Sequence, residues 1–161
     1  MSARELYSPL KPLSFIFLLN SCNKEKKGNC IVGTWKLIEF LNLDSVTNQW
    51  EHPYGKNPKG YFTYTSNGIV NLNISNENPL KLSKDSLNST KFVYSDFMKN
   101  SVGYFGEYEV SLEDSVVTHK VKGGSIPFYI GTNQPRPFIF KNDTLIIGDN
   151  KTWRRVLVRI D

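Results

Sequence analysis

From Ile31 onward the chain divides into short runs in which apolar and polar residues alternate, each closed by residues typical of turns. Alternation with a period of two sends successive side chains to opposite faces of a strand, so such runs fold as half-buried β-strands and not as helices. Val70, Leu72 and Ile74 alternate with Asn71 and Asn73, and Val117, His119 and Val121 alternate with Thr118 and Lys120. Asn67-Gly68, just before the first of these runs, is a strong hairpin signal because both residues accept positive φ. Aromatic content is high at 13%, and only two Met occur. That mix favours strands over a helical bundle.

Read this way, strands fall at 31–43, 60–65, 69–74, 102–112, 116–122, 136–141, 144–148 and 152–160. Residues 44–58 read as a loop, and a short helix is expected over 88–98. Most connections are short turns; the longer ones are the loops at 44–58 and 123–135 and the segment between the third and fourth strands. The expected fold is all-β: an eight-stranded antiparallel up-and-down barrel with a short helix between its third and fourth strands, an arrangement that removes exposed edges. An open sandwich of two sheets is the alternative.

The first 30 residues follow other rules. Leu13 to Leu19 is an uncharged run, too short for a bilayer-spanning helix of about 20 residues and suited to a signal-peptide core. Leu19-Asn20-Ser21-Cys22 resembles a bacterial lipobox, in which the Cys thiol is acylated and becomes the mature N-terminus. The expected organisation is a lipoprotein-type signal peptide over 1–21, a polar tether over 22–30 and a barrel domain over 31–161. A lipid on Cys22 would anchor the protein to a membrane in the bacterial cell envelope and leave Cys30 without an intramolecular partner. A Cys22–Cys30 disulfide is the alternative, and the two exclude each other.

Formal net charge is +5 and dispersed, which does not make the basic stripe of a nucleic-acid-binding protein. His52 and His119 stand far apart without neighbouring Cys, so no metal site and no cofactor are expected. The oligomeric state is left open.

Three blocks resemble the lipocalin-like domain family of small bacterial proteins. The first is Val32-Gly33-Thr34-Trp35-Lys36-Leu37, similar to the lipocalin Gly-x-Trp signature. The second runs from Tyr54 to Gly68, a Pro/Gly loop leading into a Gly-aromatic strand and a hairpin. The third joins Gly106 to Val110, Val117-Thr118-His119, Gly131-Thr132, Arg136-Pro137-Phe138 and Trp153-Arg154-Arg155-Val156. The resemblance covers 31–161 and implies an eight-stranded lipocalin-type barrel. It also implies a closed end where an Arg of the last strand packs on the indole. That maps onto Gly33, Trp35 and Arg155, with Arg154 toward solvent. Alternation leaves open which face of the last strand is interior, since Trp153, Arg155, Leu157 and Arg159 share one face and Val156, Val158 and Ile160 the other.

With Trp35 inward, the inward candidates for a ligand pocket are Glu39, Phe62, Tyr64, Tyr104, Tyr108, His119, Arg136 and Phe138. Apolar walls with a few convergent polar groups are the usual make-up of a small-molecule site. The expected function is that of a lipocalin-like lipoprotein binding a small, partly hydrophobic or amphipathic molecule, with Arg136 and His119 meeting any acid group. Glu39 and Arg136 could instead form a buried ion pair. Two other functions stay open: a filled barrel serving structure or interaction, and a small-molecule isomerase or cyclase using His119 as general acid/base. No nucleophile elbow or paired catalytic carboxylates are visible, so no enzyme is expected. Whether 75–100 forms a lid is undecided.

Overall fold

The computed structural model describes residues 31–80 and 94–160. The expected signal peptide, the lipidation or disulfide at Cys22 and Cys30, and residues 88–93 of the expected helix lie outside the described residues. Strands are β1 (Gly33–Leu43), β2 (Trp50–Glu51), β3 (Lys59–Tyr64), β4 (Ile69–Ser75), β5 (Ser101–Ser111), β6 (Val116–Gly124), β7 (Asn133–Lys141), β8 (Thr144–Ile147) and β9 (Trp153–Arg159). A helix, α1 (Tyr94–Asn100), precedes β5. Its neighbour Tyr54, in the loop before β3, donates its hydroxyl to the Met98 carbonyl at 2.8 Å and so ties the helix to the barrel.

All neighbouring strands pair antiparallel in chain order from β3 to β9, and β1 pairs with both β3 and β9. Eight strands therefore close into a barrel. The two-residue β2 adds to the β1 edge beyond β3, within a stretch expected to be loop, with Asn42 opposite Glu51 and Leu43 opposite Trp50.

Two bulges shape the wall. In β1 the register with β9 slips between Leu37 and Glu39, so that Ile38 is an extra residue. A bulge residue inverts the facing of everything after it. Trp35 and Leu37 are buried, and beyond the bulge it is Phe40 that joins the core while Glu39 turns outward. The second slip, between Phe105 and Gly106, sits where Gly106, Gly123 and Gly124 crowd together. A Cβ on Gly106 would lie 2.1 Å from the Lys120 carbonyl oxygen.

At one end the interior is solid. Trp35 is fully buried, donates its indole N–H to the Ile31 carbonyl at 2.9 Å and packs on Phe140. Leu37, Val70, Val117, Leu145 and Leu157 fill the space around it. Burying side chains of this size stabilises by roughly 1.5–3 kcal/mol each. Arg159, directly opposite Trp35 in the β1–β9 register, lays its guanidinium 4.1 Å from the indole centroid and donates to the Val32 carbonyl at 2.7 Å.

This corrects the sequence expectation at Arg155. The last strand does cover Trp35 with an arginine, but Arg155 pairs with Phe40, near the other end of β1, and Arg159 takes the place over the indole. Strand register decides it: Trp35 sits opposite Arg159, four residues beyond Arg155 on the last strand, and alternation within each strand does not reveal that offset. Of the two faces of β9, the one bearing Arg155 and Arg159 is inside.

Candidate functional site

At the end of the barrel opposite Trp35 the interior is not filled. A cavity of about 520 Å³ is lined by side chains from all eight barrel strands, among them Phe62, Leu72, Ile74, Val102, Tyr104 and Ile147. Met98 of α1, with Phe128 and Tyr129 from the 3-10 turn Pro127–Tyr129, complete the rim. Glycine in the turn after β8 helps shape this end. Gly148 takes φ +130°, and a Cβ there would stand 2.4 Å from the Trp153 carbonyl oxygen.

The cavity floor carries His119, only 1% exposed on β6. Its Nε2 lies 2.9 Å from the Tyr64 hydroxyl and its Nδ1 2.6 Å from the Tyr104 hydroxyl. A neutral imidazole has one N–H and one lone pair, so one tyrosine accepts from the ring and the other donates to it. Burial, followed by the Arg136 charge, pushes the His119 pKa down to about 3, and the ring is neutral at physiological pH. Burial likewise pushes the Tyr64 hydroxyl well up. Tyr104 is raised by burial too, against the opposing pull of Arg136, which acts on it as a nearby charge and hydrogen-bonding group.

Two arginines face the same space. Arg136 enters from β7, where Pro135 and Pro137 flank it. Those prolines are tolerated because β7 begins pairing with β8 only at Phe138, so their missing N–H groups break no ladder on that side. The Arg136 guanidinium lies 5.5 Å from both the Tyr129 and Trp153 ring centroids and donates to Gln134 Oε1 at 3.2 Å. Arg155 enters from β9, with its guanidinium 3.2 Å from the Phe40 ring centroid and 5.2 Å from that of Trp153. It donates to the Leu41 carbonyl at 2.6 Å, the Arg154 carbonyl at 2.9 Å and Asn42 Oδ1 at 3.0 Å. Burial, then the Arg136 charge, pushes its pKa down to about 9, which leaves it charged at neutral pH. Among the described residues, no Asp or Glu lines the cavity.

A family model described as a lipocalin-like domain matches residues 32–156. The chain belongs to the lipocalin-like domain family. No curated protein matches it significantly. Among solved structures, a DUF4847 family protein from Bacteroides vulgatus ATCC 8482 is similar at 12% identity and a TM-score of 0.41, covering 81% of this chain and 96% of that one.

Of the residues expected to line a pocket in this lipocalin-like domain, Phe62, Tyr104, His119 and Arg136 do line the cavity. Tyr64 is buried behind His119 as its partner. Tyr108 packs edge-on against Tyr64, and its hydroxyl is spent on the Thr65 carbonyl at 2.8 Å, toward the hairpin end. Phe138 is buried against Phe140 in the core.

Glu39 is outside. The bulge at Ile38 turns it to the outer face, where it pairs with Arg154 at 3.4 Å, and so it forms no ion pair with Arg136. Arg154 also lies on that outer face, over Trp50. Sequence reasoning missed Phe40, Asn42, Tyr129, Trp153 and Arg155 as cavity residues. For Trp153 and Arg155 a signal existed, since they share a strand face with Leu157. For Phe40 and Asn42 none did, because the bulge reverses their expected facing.

Proposed function

We propose that this protein is a lipocalin-like envelope lipoprotein that takes a small, partly apolar molecule into its barrel without transforming it. The observation that carries the proposal is the half-filled interior: packed solid around Trp35 and open at the other end in a cavity of about 520 Å³. Small-molecule sites usually measure about 300–1,000 Å³, with apolar walls and a few placed polar groups. Phe62, Leu72, Ile74 and Val102 supply the walls, while Tyr104, His119, Arg136 and Arg155 supply the polar groups. A barrel serving only as a structural element would fill both ends with side chains, as small barrels do.

The state of His119 speaks against catalysis. Both ring nitrogens are already engaged by tyrosine hydroxyls, and a pKa near 3 is far from the value a general base needs at neutral pH. The leader pattern ending at Cys22 supports lipid anchoring in the envelope.

Native mass spectrometry of freshly purified protein tests the binding. The expected result is an adduct on the wild type that is absent from Leu72→Trp, a cavity-filling change whose fold is checked by circular dichroism. A wild type that carries no adduct and takes up no added amphiphile overturns the proposal.

A further inference from the structure

Arg136 and Arg155 reach into one cavity from strands two places apart in the wall, and the Trp153 ring lies within 5.5 Å of both guanidinium groups. The groups that accept their hydrogen bonds are neutral: Gln134 Oε1 for Arg136, and two backbone carbonyls and Asn42 Oδ1 for Arg155. The residues lining the cavity include no carboxylate, and the neighbouring imidazole of His119 is neutral. Glu39, the acid that could have paired with Arg136, is taken by Arg154 on the outer surface. Two like charges thus sit in a partly desolvated space with no counter-charge among the described residues that line it. That is costly when nothing compensates it, and Arg155 registers the cost as a depressed pKa caused by burial first and Arg136 second.

We infer that Arg136 and Arg155 form a two-armed clamp for the acid group of an amphipathic monocarboxylate whose apolar chain lies along Phe62, Leu72, Ile74 and Val102. A guanidinium presents a planar fork of N–H donors that matches a carboxylate, and one stacked on aromatic rings is held in orientation before the ligand arrives. Phe62, Leu72, Ile74 and Val102 offer hydrocarbon and aromatic surface, which suits an aliphatic or aromatic chain. The assignment rests on the proposed binding role and narrows it to a ligand class.

Calorimetric titration of the whole chain with decanoate, decanol and decylamine tests it, because the three share a chain and differ in head group. Decanoate is expected to bind at least about tenfold more tightly than decanol, a difference of about 1.4 kcal/mol, and decylamine more weakly than either. Arg136→Gln should weaken decanoate at least about tenfold more than decanol, erasing most of the decanoate preference. Arg136 is the better variant because it donates to the side chain of Gln134, whereas Arg155 also holds the β1 backbone. Equal affinity for decanoate and decanol would overturn the clamp and leave the binding role standing. Uptake of none of the three would overturn both.

Discussion

At the scale of single residues, His119 is held on both sides of its ring. Its two nitrogens meet Tyr64 and Tyr104 at 2.9 and 2.6 Å, and it is buried in a neutral form. The energetic consequence has a definite sign. The folded pKa of about 3 lies below the ordinary 6.5, so between those values the unfolded chain binds a proton that the folded one refuses. The contribution to stability is therefore complete above pH 6.5 and is lost as pH falls toward 3. Urea unfolding between about pH 4.5 and 6.5 should show stability rising with pH by up to about 1.4 kcal/mol per unit from this one proton. In His119→Gln that part of the slope should vanish, although the variant is less stable throughout because a tyrosine hydroxyl loses its partner. Equal slopes in the two proteins would mean that the histidine is not held neutral. That His119 faces inward was legible from its place between Val117 and Val121. That it sits between two tyrosines was not, because those partners come from β3 and β5 and only the register brings them level.

Among the elements, β9 and the turn before it shape the cavity mouth. Asp149 accepts the backbone N–H groups of Lys151, Thr152 and Trp153 at 2.8, 2.7 and 3.1 Å. The Thr152 hydroxyl, which also donates to it, and then those backbone groups hold its carboxyl well below the usual range. That carboxylate and Gly148, with its φ of +130°, set where Trp153 enters the strand. Gly148→Ala would drive a Cβ into the Trp153 carbonyl, and the Arg154 Cα at 2.9 Å blocks the other escape. The expected loss is about 1–3 kcal/mol, seen as a lowered midpoint in thermal unfolding together with altered Trp153 fluorescence, while an unchanged midpoint would show that the turn yields easily. Strand positions and hairpins could be read from alternation and turn residues with ends off by a few residues, since those signals are local. Facing beyond residue 38 could not. A single inserted residue there reverses parity, and its cause lies in the long-range fit of β1 against β9, not in the residues nearby.

For the whole molecule, closure and anchoring are separate questions. The described residues account for a barrel with a packed end and an open end. The family was legible because Gly-x-Trp, the Asn-Gly hairpin and the terminal Trp-Arg-Arg recur in order along the chain. The cavity was not legible, since whether inward side chains meet depends on the bulges, the short β8 and the 3-10 turn at the rim. The proposed anchoring rests on Cys22. Metabolic labelling with a radioactive fatty acid should mark the wild type and not Cys22→Ser, and label surviving in the variant would rule out lipid at that thiol. The pairing of β1 with β9 has a consequence in time. Trp35 and Arg159 come together across almost the whole domain, and closing so long a loop costs entropy before any contact offsets it. Until β9 docks, β1 and β8 each present an unpaired edge, and the indole has no guanidinium over it. Of the barrel's strands, the last to leave the ribosome is thus the one that seals it, so the nascent barrel stays an open sheet until β9 has emerged.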